Sequence, residues 1–223
     1  MRRHGQMNVI VTGTSGDIGR AIAEKFLREG HRVWGFDTRE SVISDPGYTH
    51  IVSDIRDGEL PEVKNVDILI NNAGTFEESD AIDVNLSGTI RFTESFMGCE
   101  TLKSILFIAS ASARNGAEFP YYVASKAGIV GYMKNLAVNL PKQGRNVTVN
   151  SISPGGVITR SNAHILDDPK LKEAVMAESL LRKWAEPEEI ADLAYYLTVI
   201  NRSMTGEDLL IDNGEMLRSN FIW

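Results

Sequence analysis

The sequence predicts one α/β domain over residues 1–223, built in three layers in which helices cover both faces of a doubly wound parallel sheet of about seven strands. Two observations predict this class. Short apolar segments recur along the chain, and segments with apolar residues at a helical period lie between them. Hydrophobic residues make up 43% of the chain and charged residues 24%, a balance that supplies a core for one domain without disulfide bonds.

Seven segments are predicted to be β-strands, because each is a short run of mainly apolar residues. Runs such as Val9–Val11, Ile68–Ile70 and Ile105–Ile108 are apolar at every position, which is typical of strands covered on both faces by helices. The predicted strands are Asn8–Val11, Arg32–Phe36, His50–Val52, Asp67–Ile70, Ser104–Ile108, Val147–Ile152 and Leu209–Ile211.

Three of the intervening segments carry helix signals at one end as well as an apolar face. The first has its apolar face within residues 18–27 and is expected to end at Gly30. The second has apolar residues between positions 129 and 140, and Pro141 is expected to stop it. The third is expected to begin at Pro187, because proline and the acids that follow it suit a first helical turn.

Charge and cysteine content exclude several classes of function. The chain has 30 acidic and 23 basic residues and a net charge of -7, so it repels nucleic acid at long range. The single Cys99 and four scattered histidines offer no disulfide and no metal-binding motif. The basic residues 1–7 precede no apolar stretch, and no apolar run reaches 18 residues. We therefore expect a cytoplasmic protein with no metal and neither a nucleic-acid nor a membrane partner.

A glycine-rich segment directly follows the first strand and opens the first helix. Gly13, Gly16 and Gly19 allow a tight turn and a close approach of backbone to a ligand, while the helix N-terminus presents N–H groups to a diphosphate. An ordinary strand-to-helix turn is the alternative. The position of the loop favours a dinucleotide-binding loop of the Rossmann type.

The second strand is followed by Asp37, which lies 24 residues after Gly13. A carboxylate at this distance is expected to hold the adenine ribose hydroxyls and to repel a 2′-phosphate. Asp37 therefore favours NAD as the cofactor, with NADP as the alternative because Arg39 lies two residues further on. A purely loop-capping role for Asp37 is the structural alternative.

Tyr122 and Lys126 stand four residues apart at the start of an apolar-striped helix. Residues at this spacing share a helical face, so the lysine ammonium is expected to lower the pKa of the phenol. A free tyrosine has a pKa of about 10, and bringing it towards 7 requires about 4 kcal/mol. A chance pair on a surface helix is the alternative.

With these residues in place, the chain resembles the short-chain dehydrogenase/reductase family in its single-domain branch, from Val9 to Gly214. The resemblance implies an NAD(P)-dependent oxidoreductase that interconverts a secondary alcohol and a ketone by hydride transfer. The matching segments are Thr12–Gly19, Asp54-Ile55, Asn71–Gly74, Asn85, Ile108–Ser110, Tyr122–Lys126, Pro154–Thr159, Met204–Glu207 and Ile211–Gly214.

The resemblance implies four catalytic residues. Tyr122 would be the general acid/base, and Lys126 would lower its pKa and bind the nicotinamide ribose. Ser110 would orient the substrate oxygen. Asn85 would shape its helix so that the main chain holds a water that links the lysine to solvent.

The resemblance also implies a row of cofactor contacts. Asp54 would contact the adenine amino group with Ile55 beside it, residues 72–74 would flank the adenosine ribose, and the Val157 backbone would read the carboxamide. The cofactor-binding residues so implied are Gly13, Ser15, Gly16, Asp17, Ile18, Gly19, Asp37, Asp54, Ile55, Asn72, Ala73, Gly74, Tyr122, Lys126, Pro154, Gly155, Val157 and Thr159.

The chain departs from the family pattern at several points. Asp17 stands where the family's loop usually has its middle glycine, which is adverse to a diphosphate unless the side chain points away or caps the helix. Ser110 lies one residue closer to Tyr122 than is usual, so Ser112 is its rival. Tyr121 is the competing tyrosine, but it stands five residues from the lysine.

Two connections are also short. Only 16 residues separate Asp37 from Asp54 and 10 separate Gly74 from Asn85, so the helices usual there are expected to be short or absent.

Residues 160–186 are expected to form the substrate lid. Their apolar positions predict either a helix packed on the domain or a pocket for an apolar alcohol or ketone, and Asp167–Pro169 is expected to begin a helix. A homotetramer is expected in preference to a homodimer, through the helix at about residues 122–140 and the apolar tail Phe221–Trp223.

Two alternative functions stay open. One is an NADPH-dependent reductase of 3-oxoacyl or general carbonyl compounds. The other is a non-catalytic dinucleotide-binding sensor or scaffold. No Gly-x-Ser-x-Gly motif supports a hydrolase.

Overall fold

A computed structural model describes residues 5–57 and 63–217. It contains seven parallel strands in the order β3-β2-β1-β4-β5-β6-β7, which confirms the predicted class. Every predicted strand is present, with ends shifted by at most two residues. The strands are β1 Asn8–Thr12, β2 Arg32–Asp37, β3 Tyr48–Val52, β4 Ile68–Asn71, β5 Ser104–Ile108, β6 Thr148–Pro154 and β7 Asp208–Ile211.

Helices lie between most of the strands. The α-helices are α1 Asp17–Arg28, α2 Thr89–Ser95, α3 Ser112–Asn115, α4 Pro120–Lys142, α5 Ala163–Leu166, α6 Pro169–Glu178 and α7 Pro187–Tyr195. Two π-helical segments, Ile82–Gly88 and Tyr196–Ile200, and a 3₁₀ turn, Arg160–Asn162, complete the helical elements of the described residues.

Alternate residues of the central strands enter opposite cores, because side chains of a strand point to its two faces in turn. In β1, Val9 and Val11 pack in a core with α1 and α7, whereas Ile10 packs in a second core with α2 and α4. In β5, Leu106 belongs to the first core and Phe107 to the second. Helices therefore cover both faces of the sheet, as the apolar strand runs predict.

The strand order reverses direction at β1, which pairs with β2 on one side and β4 on the other. In a doubly wound sheet, a crevice opens at the carboxyl ends of the strands on either side of such a switch point, and ligands bind there. A ligand-binding site is therefore expected at the residues that follow β1 and β4.

Several local predictions can be compared with these elements. The connection between β2 and β3 contains no helix in residues 38–47, and the helix after β4 starts only at Ile82, as the short spacings predict. Asp168 caps α6 through its side chain, which confirms a helix start there. The stop at Pro141 is wrong by one residue, because proline lies in the last turn of α4, where Lys142 ends the helix.

Helix α6 of the predicted lid has no fully buried residue, while Val175 and Met176 are half-buried. Leu171, Leu180 and Leu181 are exposed, whereas Ile165 and Trp184 line the central cleft. The role of residues 160–186 as a substrate lid stays a prediction.

Within the two described ranges, no helix combines the length and hydropathy that crossing a bilayer requires. The apolar tail Phe221–Trp223 lies outside the described residues, so the subunit contact predicted for it stays a prediction.

Candidate active site

A cleft of about 1460 Å³ opens at the carboxyl edge of the sheet. Pockets for single small ligands measure roughly 300–1,000 Å³, so this cleft has room for a dinucleotide and a second small molecule. Most of the predicted cofactor and catalytic residues line it. The two exceptions are Ser15 and Asn85, which stand behind the lining residues and hold them in place.

The glycine loop is fastened to the end of β4. The Thr12 hydroxyl oxygen accepts the N–H groups of Asn72 and Ala73, each at 2.9 Å, and the Asn72 amide donates to the Thr12 carbonyl at 3.0 Å. Gly13 turns the chain with φ +75°, a conformation that favours glycine. The arrangement leaves the start of α1 facing the cleft and fits a diphosphate.

Asp17 forms an ion pair, so its negative charge is less adverse to a diphosphate than the sequence alone suggests. Its carboxylate accepts the backbone N–H of Arg160 at 2.7 Å and the Arg160 Nε–H at 2.8 Å. The same guanidinium donates to the Ser15 carbonyl at 2.9 Å. The acid is therefore paired with the first residue of the predicted lid, and this pairing joins the glycine loop to residue 160.

Asp37 lies at the end of β2 and lines the cleft. Its carboxylate accepts the N–H of Ser15 at 2.9 Å and the N–H of Arg39 at 3.0 Å. It therefore caps the loop, as the structural alternative predicts, while it also faces the cleft. The exposed Arg39 side chain lines the same part of the cleft, with its Nε 3.4 Å from Asp37.

Asp54 stands further along this edge, in the connection after β3. Its carboxylate accepts the backbone N–H of Arg56 at 2.9 Å and three hydrogen bonds from the Arg56 guanidinium, the shortest at 2.7 Å, and this guanidinium holds the pKa of Asp54 below its usual range. Asp54 is thus an ionised, oriented acceptor beside Ile55 at the rim of the cleft.

Asn85 lies in the π-helical segment Ile82–Gly88 and is buried. Its side chain accepts the N–H of Thr75 at 2.7 Å and donates to the Thr75 carbonyl at 2.9 Å, and it also donates to the Ser125 hydroxyl at 3.2 Å. π-Helical bulges are frequent at functional sites. Asn85 therefore joins the segment after β4 to helix α4.

Tyr122 and Lys126 lie one turn apart on α4, and both are buried and line the cleft. Lys126 Nζ lies 5.6 Å from the centroid of the Tyr122 ring and donates to the Ile108 carbonyl at 3.0 Å. Tyr121, by contrast, is 58% exposed against 6% for Tyr122. The geometry favours Tyr122 over its neighbour.

The two candidate serines lie together beside Tyr122. Ser110 Oγ accepts the backbone N–H of Ser112 at 3.2 Å and the Ser112 hydroxyl at 2.9 Å. Because the lone pairs of the Ser110 oxygen accept these two hydrogen bonds, the Ser110 hydroxyl can donate its own proton to a group in the cleft. Ser112 therefore orients the Ser110 hydroxyl. Both serines line the cleft, so the choice of Ser110 over Ser112 stays a prediction.

The pKa of Tyr122 does not follow the expectation from its spacing to Lys126. Burial raises the pKa of the phenol above its usual value, the charge of Glu118 raises it further, and the Ser110 hydroxyl acts in the opposite direction. Desolvation is the main cause, and the Lys126 ammonium donates to the Ile108 carbonyl instead of to the phenol oxygen. Lys126 alone therefore does not lower this pKa, and the lowering by the ammonium together with an oxidised nicotinamide ring stays a prediction.

Burial also lowers the pKa of Lys126 to about 8, against the opposing charge of Glu118. Well below pH 8, Lys126 is charged in the folded protein, and burial of the ammonium lowers the free energy of unfolding by its full amount. This destabilisation decreases towards pH 10, because the folded state releases the proton while the unfolded chain, with a pKa of about 10.4, keeps it.

We therefore expect the wild type to gain up to about 3 kcal/mol in the free energy of unfolding relative to Lys126→Met between pH 7 and pH 10. Urea unfolding of both proteins at the two pH values measures this difference. Parallel pH dependence in the two proteins would show that Lys126 is not desolvated.

Phe76 and Glu118 are among the lining residues that the sequence predictions missed. Phe76 follows the Asn71–Gly74 motif by two residues, and this proximity was the available signal. Glu118 precedes Tyr122 by four residues and reaches the cleft through tertiary packing, which spacing does not reveal. Trp184, which belongs to the apolar residues of the predicted lid, also lines the cleft.

The sheet order and the glycine loop at its switch point define a fold of the Rossmann type, and comparisons with known proteins specify the class of protein further. A family model described as enoyl-(acyl carrier protein) reductase matches residues 13–215. The 3-oxoacyl-[acyl-carrier-protein] reductase FabG of Escherichia coli (strain K12) is 30% identical over 92% of this chain and 95% of its own length.

Two solved structures are similar over nearly the whole chain. Thermoplasma acidophilum aldohexose dehydrogenase, in ligand-free form, is 25% identical with a TM-score of 0.83, covering 98% of this chain and 97% of its own. The Pseudomonas aeruginosa RhlG/NADP complex is 26% identical with a TM-score of 0.82, covering 95% and 96%. The chain belongs to the short-chain dehydrogenase/reductase family. It is an enzyme that catalyses NAD(P)-dependent oxidoreduction between an alcohol and a carbonyl compound.

Proposed function

We propose that Tyr122 is the general acid/base of this reaction, acting on a secondary alcohol or ketone held by Ser110. The observation that carries the proposal is the meeting of Tyr122, Lys126 and Ser110 in one cleft, with the phenol and the ammonium one helical turn apart. A positioned acid/base of this kind contributes about 10²–10⁴-fold to a rate.

Four residues of this chain have separate roles in the proposed reaction. Ser110 donates a hydrogen bond to the substrate oxygen and orients it, while the Tyr122 hydroxyl gives or takes the hydroxyl proton. Lys126 holds a positive charge near the phenol and binds the nicotinamide ribose. Asn85 keeps the π-helical segment in a shape whose main chain holds a water on the path from Lys126 to solvent.

The cofactor site runs along the same cleft. The loop Thr12–Gly19 would hold the diphosphate, Asp54 and Ile55 the adenine, and residues 72–74 the adenosine ribose, with residues 154–159 at the nicotinamide end. When bound, NAD(P) supplies or accepts the hydride. The glycine turn, the start of α1 at the wall of the cleft and the room in the cleft support this fit.

We further propose that NAD is preferred over NADP, because the Asp37 carboxylate lines the ribose end of the cleft and repels a 2′-phosphate. Arg39 beside it supports the alternative, and the relative RhlG is described with NADP. The expected result is a higher kcat/KM with NAD, and Asp37→Ala should lower the NAD/NADP ratio at least about tenfold.

Asp37→Asn removes the charge and keeps one of the two backbone hydrogen bonds, because the amide oxygen can accept the N–H of Ser15 while the amide nitrogen then faces the N–H of Arg39. It should lower the ratio as Asp37→Ala does, with a smaller loss of thermal stability than Asp37→Ala. A preference for NADP in the unmodified protein would refute the assignment.

The substrate class is tested by absorbance at 340 nm with both cofactors and a panel of hydroxysteroids, sugars, acyl thioesters and simple ketones. We expect turnover of a secondary alcohol or ketone. A reduction of 3-oxoacyl thioesters with NADPH is the second candidate, favoured by the similarity to FabG. Cofactor binding without turnover across the panel would favour the sensor or scaffold alternative.

We also propose a cytoplasmic homo-oligomer, a tetramer in preference to a dimer, that uses helix α4. Its outer face carries Val138, which is 55% exposed in one chain and would be covered by a second copy. Light scattering after gel filtration should give four times the mass of one chain, and Val138→Glu should lower it. A monomer at micromolar concentration would overturn this proposal.

A further inference from the structure

The segment Thr75–Glu78 is held at both of its ends, by the π-helical segment Ile82–Gly88 and by the start of α4. Thr75 exchanges two hydrogen bonds with the Asn85 side chain, at 2.7 and 2.9 Å. The Glu78 carboxylate accepts the backbone N–H of Tyr122 at 3.3 Å, at the start of α4. Phe76 lies between these anchors, so its place is set by the same elements that place Tyr122.

The Phe76 ring stacks on the Tyr122 ring. The ring centroids are 4.5 Å apart and the planes differ by 22°, a separation at which aromatic pairs attract each other beyond their burial. Phe76 is itself 50% exposed and lines the cleft, whereas Tyr122 is 6% exposed. The outer ring therefore covers part of the inner ring that would otherwise meet solvent.

We propose that Phe76 is a positioning residue for Tyr122: its ring fixes the plane of the phenol and keeps water from the face that it covers. This inference rests on the proposed role of Tyr122 as acid/base. An apolar ring also leaves the phenol hydroxyl without competing hydrogen-bond partners on that side, so its proton is directed to the substrate oxygen.

Other groups around Tyr122 set its charge environment and are left unchanged by a substitution at Phe76. Lys126 on α4 places its ammonium 5.6 Å from the ring centroid, and Ser110 after β5 acts on the phenol oxygen. Glu118 before α4 contributes a negative charge, and Glu78 binds the backbone N–H of Tyr122. A change in the pH profile after substitution of Phe76 therefore reports on the covering ring.

The test compares kcat and its pH dependence in wild type, Phe76→Ala and Phe76→Tyr, with a substrate from the 340 nm panel. Phe76→Ala should lower kcat roughly ten- to hundredfold, because the phenol loses its fixed orientation. The KM of Phe76→Ala for the cofactor should stay unchanged.

The limb of the kcat–pH profile that belongs to Tyr122 should move to lower pH in Phe76→Ala, because water that reaches the ring reverses the rise in the pKa of Tyr122 caused by burial. Phe76→Tyr keeps a stacking ring and should restore both kcat and the pH limb.

Phe119 supplies the matched control. It is 58% exposed and lines the same cleft, but the described residues include no ring stacked on it. Phe119→Ala should leave the pH limb of kcat in place. If Phe76→Ala does not bind NADH, Phe76→Leu takes its place, since it keeps apolar volume without a flat ring, and the same shift is expected.

A wild-type kcat and pH profile in Phe76→Ala, or an equal shift in Phe119→Ala, would overturn the inference. Failure of the proposed role of Tyr122 is recognised separately, by turnover that survives Tyr122→Phe.

Discussion

Replacing Tyr122 with phenylalanine is expected to lower kcat by about 10²–10⁴-fold with any substrate that the enzyme turns over, because the substitution removes the group that exchanges the hydroxyl proton. The ring itself is kept, so its stacking on Phe76 and its place near Lys126 should persist. The dissociation constant for NADH, measured by fluorescence titration, is therefore expected to change little.

Tyr121→Phe is the matched control for this experiment, because it removes the same atom from the next residue of the same helix. Tyr121 is exposed and does not line the cleft, so this variant should keep the kcat of the wild type. Turnover within about tenfold of wild type in Tyr122→Phe would show that another group moves the proton.

Gly19→Ala is expected to produce the second large effect, the loss of NADH binding. A Cβ atom at this position would lie against the Gly13 carbonyl oxygen and 2.6 Å from Asn72 Nδ2. These are the atoms that fasten the glycine loop to the end of β4, so the loop must shift to admit a methyl group. Overpacking of this kind costs about 1–3 kcal/mol, and urea unfolding with and without NADH measures both effects.

The matched control is Gly98→Ala, an exposed glycine in the turn after α2 with open space where its Cβ would stand. Because the added methyl group meets no neighbouring atom, this variant should be as stable as wild type, with normal NADH binding. Undiminished NADH affinity in Gly19→Ala would contradict the placement of the diphosphate at the loop.

The strands were predictable because their signal is local. The run Ser104–Ile108 is apolar after its first residue and bounded on both sides, and its predicted ends match the structure. β3 begins two residues earlier than predicted, at Tyr48. It lies at the edge of the sheet, where one side is exposed and polar residues such as Thr49 are tolerated, so apolar continuity underestimates its length.

The site was predictable only as far as motifs and helical spacing reach. Spacing placed Tyr122 and Lys126 on one face of a helix, and the structure brings both into the cleft. It did not reveal that Asp17 pairs with Arg160, because 143 residues separate them. Helical spacing also did not reveal that the pKa of Tyr122 is raised, because burial by Phe76 and other neighbours is a property of tertiary packing.

The most direct test of the central claim is a crystal structure of the protein grown with NADH. The expected result is a dinucleotide that lies along the cleft, with its diphosphate on the loop Thr12–Gly19 and its nicotinamide beside Tyr122 and Lys126. A cofactor bound elsewhere on the chain, or a nicotinamide that lies away from Tyr122, would contradict the account.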